Sequence, residues 1–473
     1  MIMSGRLAHS GWRNGLAALA LATLAVAFAA PAEATKIERV VSPGGIEAWL
    51  VSDKTVPLIA VDFAFRGGAN QDPAGKTGVA QMTTELLDEG AGGLDARAFQ
   101  QQLEERAITL GFSAGHDNIR GSLRTLSENR REAFELLRLA LTAPRFDAPP
   151  VERIRVQIMT RLRRETTSPN DIASRRWWEA AFGTHPYARP VGGTLESVPL
   201  IAADDLKAYV ARIFARDNLK IAVVGDIDAA TLSASLDEVF GGLPAKAQRT
   251  PIASANPDAH GQRIVVDFDV PQAVVTFGGR GIARKDPDFI AAYIVNHILG
   301  GGSFSSRLYK EVREKRGLAY SVYSSLVWLD HAALFMGGTG TRAERSGDTI
   351  EIIQQEIRRL AEVGPTDDEL AKAKSFLKGS YPLNFDTSTK IAGQLVQIQL
   401  DDLGIDYIDK RSSLIDAVTL ADAKRVAKRL LEEGLIVTVV GRANAATGAP
   451  GAGVPATPAA ALPERDIHGR PLR

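Results

Sequence analysis

The sequence predicts an α+β fold made of two homologous lobes, each with an antiparallel-rich sheet covered by helices. Three observations lead to this prediction. The buried-strand pattern Leu219–Gly225 recurs as Leu435–Gly441, 216 residues later. Amphipathic helices precede both copies at a similar offset. A stretch rich in Pro, Ala, Ser and Asn separates the halves. Self-similarity of this length indicates a duplicated domain and not a solenoid of small repeats.

Residues 1–34 are predicted to be a signal peptide. Arg6 and Arg13 precede the apolar run Gly15–Ala30, and Ala32-Glu33-Ala34 offers a small-x-small cleavage site. The run is shorter than the ~20 residues that span a membrane. We therefore expect an exported protein, periplasmic and soluble, with no stable membrane insertion after cleavage.

The bulk composition excludes several classes of protein. The chain has 56 basic and 56 acidic residues, so no net charge favours nucleic acid as a partner. It has no cysteine, which excludes disulfides, thiolate metal sites and lipoprotein attachment.

The first lobe is expected over residues 35–244. It opens with strands at Ile37–Val51 and Leu58–Gly67, and Thr77 is a candidate cap for a helix that runs to the glycines around Gly90. Later elements are helices at about 96–107, 128–142, 148–165 and 202–214, a strand pair over 111–124, and the buried strand from Leu219.

The second lobe is expected over residues 262–442, after a linker at 245–261. Its strands are predicted at 264–268, 273–278, 332–339 and 435–441, and its helices at about 288–299, 346–361, 367–379 and 420–432. The Ala-, Pro- and Gly-rich tail at 443–473 shows no periodicity and is expected to be disordered.

One stretch of the second lobe, Gly300–Ser324, predicts a glycine loop, a short helix, a turn and a strand. Ser303 or Ser305 is a candidate helix cap, and Gly317 is a candidate helix stop. From Ala319 the residues alternate as in a strand with two different faces, and Tyr320 falls in the series of Val322.

This stretch, within a duplicated α+β chain, resembles the inverzincin metallopeptidases of the pitrilysin and mitochondrial-processing-peptidase family (M16). The resemblance covers about residues 35–443 and is sharpest over Gly300–Ser324, in which Arg313 is followed, seven residues later, by Tyr320. It implies that the two lobes form a half-shell. Two half-shells, on one chain or two, would then close around a peptide.

The resemblance also shows what this chain lacks. Active members carry His-x-x-Glu-His on the first helix of the first copy, where two imidazoles bind zinc and the Glu activates a water. Here those positions are Gln81, Thr84 and Glu85, and residues 153–164, where an acidic ligand is expected, contain no Asp or Glu. We therefore expect no metal on this chain and no activity alone. For Gln81 and Glu85, a solvated pair is favoured over a hard-cation site.

The resemblance implies that Arg313 and Tyr320 act in catalysis at a partner's zinc site. There the guanidinium would hold the substrate backbone and the phenol would stabilise the oxyanion. Without the resemblance, the two residues would be a surface Arg paired with a carboxylate and a Tyr packed at a strand start.

Gly300, Gly301, Gly302 and Ser303 are candidate substrate-binding residues. Glycines allow a close backbone approach to a peptide or to the partner lobe. The alternative is that they only mark the start of a helix. No Gly-Lys-Ser/Thr follows them, which argues against a nucleotide loop.

Three functions follow from these patterns. The leading hypothesis is a non-zinc-binding subunit of an exported heterodimeric metallopeptidase, whose homologous partner carries zinc and whose substrate is a peptide or unfolded polypeptide. The second is a catalytically inert structural or peptide-binding module of the same fold. The third, a self-sufficient hydrolase, is weakest, because the chain has no Gly-x-Ser-x-Gly elbow and no cysteine.

Overall fold

A computed structural model describes residues 36–257 and 261–442 of the chain. The predicted signal peptide and the tail at 443–473 lie outside the described residues. Within these two ranges, no helix combines the length and the apolar composition that a membrane span requires.

The first lobe contains six strands and seven α-helices among the described residues. The strands are β1 (Glu38–Val41), β2 (Glu47–Ser52), β3 (Leu58–Arg66), β4 (Thr109–Ala114), β5 (Asn118–Leu126) and β6 (Leu219–Gly225). The helices are α1 (Val79–Thr84), α2 (Ala96–Glu105), α3 (Arg130–Thr142), α4 (Ala148–Glu165), α5 (Pro169–Phe182), α6 (Ala203–Ile213) and α7 (Ala229–Phe240).

The second lobe contains five strands and six α-helices in the part of the chain that the structure describes. The strands are β7 (Arg263–Asp267), β8 (Gln272–Arg280), β9 (Ala319–Trp328), β10 (Ala333–Arg342) and β11 (Ile436–Gly441). The α-helices are α8 (Phe289–Asn296), α9 (Ser346–Val363), α10 (Asp367–Gly379), α11 (Ser388–Leu400), α12 (Tyr407–Ala417) and α13 (Leu420–Leu431). Two π-helical segments, His297–Gly301 and Tyr309–Glu314, follow α8.

The two sheets share one topology. The first has the order β1-β2-β6-β3-β5-β4 and the second has the order β7-β11-β8-β10-β9. When the additional edge strand β1 is left out, both sheets have five strands in equivalent order. In each, the first two strands run parallel to one another: β2 with β6, and β7 with β11. All other neighbours are antiparallel. The predicted α+β fold of two homologous lobes is therefore confirmed.

Each lobe also covers the outer face of the other lobe's sheet with one helix. Helix α5 of the first lobe packs on β8 and β11, where the fully buried Trp177 donates its indole N–H to the carbonyl of Ile436 at 3.2 Å. Helix α11 of the second lobe packs on β3 and β6, where the Gln399 amide donates to the carbonyl of Ile221 at 2.9 Å. This reciprocal exchange covers the central strands of each sheet on the second face.

A polar seam joins the two lobes at their hairpin turns. Asp117, in the β4–β5 turn, accepts hydrogen bonds from the Tyr187 hydroxyl at 2.6 Å and from the backbone N–H of Asp330, in the β9–β10 turn, at 2.8 Å. Burial raises the pKa of Asp117 above its usual value. Arg66 of β3 adds ion pairs to Asp330 at 3.2 Å and Asp402 at 3.3 Å.

Two local predictions were wrong. The predicted strand 37–51 is two strands, because the chain turns at Gly44 and Gly45, and Gly45 has a φ of 80°. Thr77 does not cap α1, which ends at Thr84 and not near Gly90. The buried carboxylate of Asp72 takes that role, since it accepts hydrogen bonds from the backbone N–H groups of Gly78 at 2.7 Å and Ala80 at 2.9 Å.

The exchanged helices predict a large effect at the contact between the lobes. Trp177→Ala removes a fully buried indole from the second sheet, and we expect the free energy of unfolding to fall by about 3–5 kcal/mol. Leu200→Ala, at an exposed site of the first lobe, is the control and should change it by less than about 0.5 kcal/mol. Urea titration monitored by circular dichroism measures both. Equal small effects would contradict the account of the exchanged helices.

Candidate functional site

Helix α1 and its C-terminal residue hold Gln81, Thr84 and Glu85, the three positions where the family resemblance would place a zinc-binding motif. Gly78 precedes the helix with a φ of 104° that suits glycine, and Asp72 accepts hydrogen bonds from the N–H groups of Gly78 and Ala80. Gln81 and Glu85 lie one helical turn apart at the end of α1. Burial of the Asp72 carboxyl raises its pKa to about 7.

A guanidinium from α4 binds the carboxylate at this site. Arg161 Nη1 donates to Glu85 Oε1 at 2.9 Å, and Gln81 Nε2 donates to the same oxygen at 2.7 Å. The buried hydroxyl of Thr84 donates to the carbonyl of Gln81 at 2.8 Å. Gln81 and Glu85 therefore form part of an ion-pair network, and not the simple solvated pair that the sequence favoured.

The residues present do not fit a zinc ion. Zinc in proteins is held by imidazole, thiolate or carboxylate ligands, usually three or four of them. Here the one carboxylate, of Glu85, is already neutralised by Arg161, and Gln81 and Thr84 offer only an amide and a hydroxyl. Within residues 36–257 and 261–442, no three His, Cys, Asp or Glu side chains are placed to share a metal ion.

The network extends along α4 to α5. The Arg161 guanidinium lies 4.0 Å from Glu165, and Arg175 lies 3.7 Å from the other oxygen of Glu165. A second pair, between Arg153 and Glu89, joins α4 to the turn after α1. The charged side chains around Glu85 and Glu89 therefore tie the region of α1 to α4, as a structural contact.

The glycine loop of the second lobe packs against its own lobe. Gly300 is buried, and a Cβ on it would lie 2.5 Å from the Ser324 hydroxyl oxygen on β9. Gly301 and Ser303 are exposed, and Ser303 has a φ of 46°, which is uncommon for a residue with a side chain. At Gly300 the close backbone approach is thus to β9, while Gly301–Ser303 remain open to another molecule.

The helix after this loop is capped differently from the prediction. The Ser306 hydroxyl, and not that of Ser303 or Ser305, accepts from the backbone N–H of Tyr309 at 3.4 Å. The segment ends at Glu314, and Gly317 follows as the predicted stop, since it has a φ of 59° and its N–H bonds to the carbonyl of Arg313 at 2.9 Å.

Arg313 and Tyr320 lie together on the surface of the second lobe. The guanidinium carbon of Arg313 is 4.3 Å from the ring centre of Tyr320 and 5.0 Å from that of Tyr309. Tyr320 is 58% exposed. The guanidinium is thus held by cation–π contacts with two rings of its own lobe.

A β-bulge directs Tyr320 outward. Val322 pairs with Thr339, and Ala319 pairs with Thr341. Between these two pairs β9 advances by three residues and β10 by two, so β9 contains one extra residue. The extra residue breaks the alternation, and Tyr320 does not share the buried side of Val322 as the sequence pattern predicted. Bulges often re-aim side chains next to functional sites.

The structure places the predicted residues in two separate sets. Among the described residues, no hydrogen bond, ion pair or ring contact joins Gln81, Thr84 and Glu85 of the first lobe to Arg313 and Tyr320 of the second. Sequence reasoning missed Arg161 and Tyr309. The only available signal for Arg161 was the run of arginines without acidic residues at 153–164.

The Arg161 guanidinium beside Glu85 is expected to oppose the binding of a zinc ion at this position. A unit charge ~4 Å from a divalent ion is worth about 2 kcal/mol even at the dielectric of water, or more than tenfold in affinity. We expect the triple variant Gln81→His/Glu85→His/Arg161→Glu to bind zinc at least ten times more tightly than the double variant that keeps Arg161. Competition with a chromophoric chelator measures both constants. Equal affinities would show that Arg161 does not oppose a metal.

Known protein sequences match this chain over most of its length. The family model "Peptidase M16 inactive domain" matches residues 201–377, from α6 through most of α10. The non-peptidase homolog YmxG of Helicobacter pylori is 29% identical over 334 residues, which are 70% of this chain and 77% of that protein. An uncharacterized zinc protease of Streptomyces coelicolor is 27% identical over 418 residues, which are 86% of this chain and 89% of that protein.

Solved structures give the same result over most of the chain. A protease from Helicobacter pylori shares the fold, with a TM-score of 0.78 at 23% identity over 86% of this chain and all of that one. The peptidase M16 inactive domain from Pseudomonas fluorescens is 31% identical, with a TM-score of 0.81, over 86% of this chain and 98% of that one. The chain therefore belongs to the peptidase M16 family and matches the inactive domain of that family.

Proposed function

We propose that this chain is the non-zinc-binding subunit of an exported heterodimeric M16 metallopeptidase. One observation carries the proposal: the exposed Tyr320 is stacked on the half-buried Arg313, while an ion pair with Arg161 occupies the positions where the resemblance places a zinc site. A chain that kept only the first pair is suited to complete a site whose metal is bound elsewhere. Zinc, and with it the hydrolysis, belongs to a homologous partner subunit.

In this role, Tyr320 and Arg313 act on the peptide and not on the metal. The Tyr320 hydroxyl donates a hydrogen bond to the oxygen that gains negative charge as the scissile carbonyl is attacked. The Arg313 guanidinium offers several N–H donors to substrate carbonyls, and its stacking on Tyr320 restricts both side chains before substrate arrives. Pre-positioned donors of this kind need little reorganisation during the reaction.

The glycine loop would form part of the wall that contacts the peptide. Gly301, Gly302 and Ser303 follow the buried Gly300, and the exposure of Gly301 and Ser303 leaves their backbone accessible to an extended peptide or unfolded polypeptide. The apolar run Gly15–Ala30, which follows Arg6 and Arg13, supports export to the periplasm. The name of one relative, a non-peptidase homolog, supports the absence of intrinsic activity.

Reconstitution with a zinc-bearing M16 homologue tests this function. We expect no peptidase activity from this chain alone and activity in the mixture. Tyr320→Phe should lower kcat of the mixture about 10²-fold, because a donor to the oxyanion is lost. Arg313→Ala should lower kcat/KM through substrate positioning as well.

Tyr323→Phe is the matched control, since Tyr323 is an equally exposed tyrosine of the same strand, at 56%. It should leave kcat within about twofold, as a surface hydroxyl away from the reacting atoms has no part in the charge stabilisation. A mixture that is inactive, or that binds peptide without any response to Tyr320→Phe, would instead identify an inert structural or peptide-binding module. Activity of this chain alone would contradict both.

A further inference from the structure

Aromatic side chains surround Arg313 at the surface, and we call Phe304, Tyr309, Arg313 and Tyr320 the aromatic patch, in which Phe304 and Tyr320 are exposed and the other two are half-buried. Phe304 is 71% exposed and meets Tyr309 edge to face, with ring centres 5.0 Å apart. Arg313 bridges Tyr309 and Tyr320. The contacts make one continuous surface of three rings and a guanidinium. Exposed aromatic surface of this kind marks an interaction site more often than scattered apolar residues do.

Such a surface is suited to proline-containing segments. Segments of the type Pro-x-x-Pro dock on aromatic-lined surfaces, because the proline rings pack on the aromatic faces and the peptide loses little conformational entropy. The chain contains one such segment of its own after β11, Pro455-Ala456-Thr457-Pro458. The sequence analysis treated the region around it only as an Ala-, Pro- and Gly-rich tail.

The sheet brings the start of this tail close to the patch. Gly441, at the end of β11, lies beside Ala273 on β8. Ala273 pairs with Thr341 on β10, and Thr341 pairs with Ala319 on β9. Ala319 precedes Tyr320 directly. Gly441 and Ala319 are therefore three strand spacings apart in one row, or about 14 Å.

The tail is long enough to span this distance. The carbonyl of Gly441 accepts from the N–H of Phe268 at 3.1 Å, and Arg442 pairs with Asp269 at 2.7 Å, so the chain leaves the sheet at this point. Arg442 and Pro455 are about 13 residues apart in the sequence, a separation that corresponds to a root-mean-square distance of about 20 Å for a flexible linker of that length. A short tether of this kind gives an effective concentration on the order of millimolar, so even a weak motif is held near the patch.

We propose that the segment Pro455–Pro458 docks on the aromatic patch of the same chain. The functional meaning of this inference rests on the proposed function. A docked segment covers Arg313 and Tyr320, and it therefore competes with the peptide substrate or with binding of the partner subunit. The segment then occupies the aromatic patch until a substrate or the partner subunit displaces it.

Engineered cysteines test the docking directly, because the chain has none of its own. Thr457→Cys is combined with Ser305→Cys, an exposed position beside Phe304, or with Gln272→Cys, an exposed position next to Ala273. Gln272 lies one strand from the point where the tail leaves the sheet, nearer than the patch. An undocked tail would therefore reach the thiol of the Gln272→Cys variant faster, whereas docking favours the thiol of the Ser305→Cys variant.

Under mild oxidation of the full chain, we expect the disulfide with Ser305→Cys to form at least ten times faster than the one with Gln272→Cys. Non-reducing gels and peptide mass spectrometry follow both reactions. Adding Pro455→Ala and Pro458→Ala should abolish the preference. Equal rates, or a preference that survives both proline changes, would overturn the proposal. A cross-link between two molecules, with a rate that rises with concentration, would overturn docking within one chain in favour of a second copy.

This test uses neither a partner nor activity, so its failure is distinct from failure of the proposed function. If the preference is absent while Tyr320→Phe slows the reconstituted peptidase, only the docking is wrong. If the preference is present while Tyr320→Phe has no effect, the docking is correct and the proposed catalytic role is wrong.

Discussion

The exchange of helices between the lobes is the constraint on which the rest of the structure depends. Each sheet needs cover on two faces, and each lobe supplies helices for only one face of its own sheet. Trp177 of α5 and Gln399 of α11 complete the arrangement, since each donates a hydrogen bond to a carbonyl of the other lobe's sheet. The lobes therefore form one unit, in which Arg313 and Tyr320 have a fixed place relative to the first lobe.

Within this frame, an ion pair occupies the helix positions where the family resemblance would place a metal site. A zinc site joins two helices through coordinate bonds, and here Arg161 and Glu85 join α4 and α1 through charge and hydrogen bonding. Both side chains are partly exposed, so the pair contributes modestly to stability. Its larger chemical effect is to place a permanent cation where a metal ion would need electron-pair donors.

Much of the fold could be predicted from the sequence because it rests on periodicity. The repeat of Leu219–Gly225 at Leu435–Gly441 corresponds to two central strands, β6 and β11. The bulge that exposes Tyr320 could not be predicted, since it depends on pairing with β10 and leaves no mark in the residue pattern. The contact of Arg161 with Glu85 is equally invisible, because 76 residues separate them and only the packing of α4 on α1 brings them together.

The central claim is that this chain completes an active site whose zinc another subunit binds. Titration of a fixed amount of a zinc-bearing M16 homologue with this chain tests it most directly, with peptide hydrolysis and zinc content measured at each point. The account predicts that hydrolysis rises with added chain and reaches a plateau, while all the zinc stays with the homologue. Hydrolysis that is independent of the added chain, or zinc that copurifies with this chain alone, would contradict it.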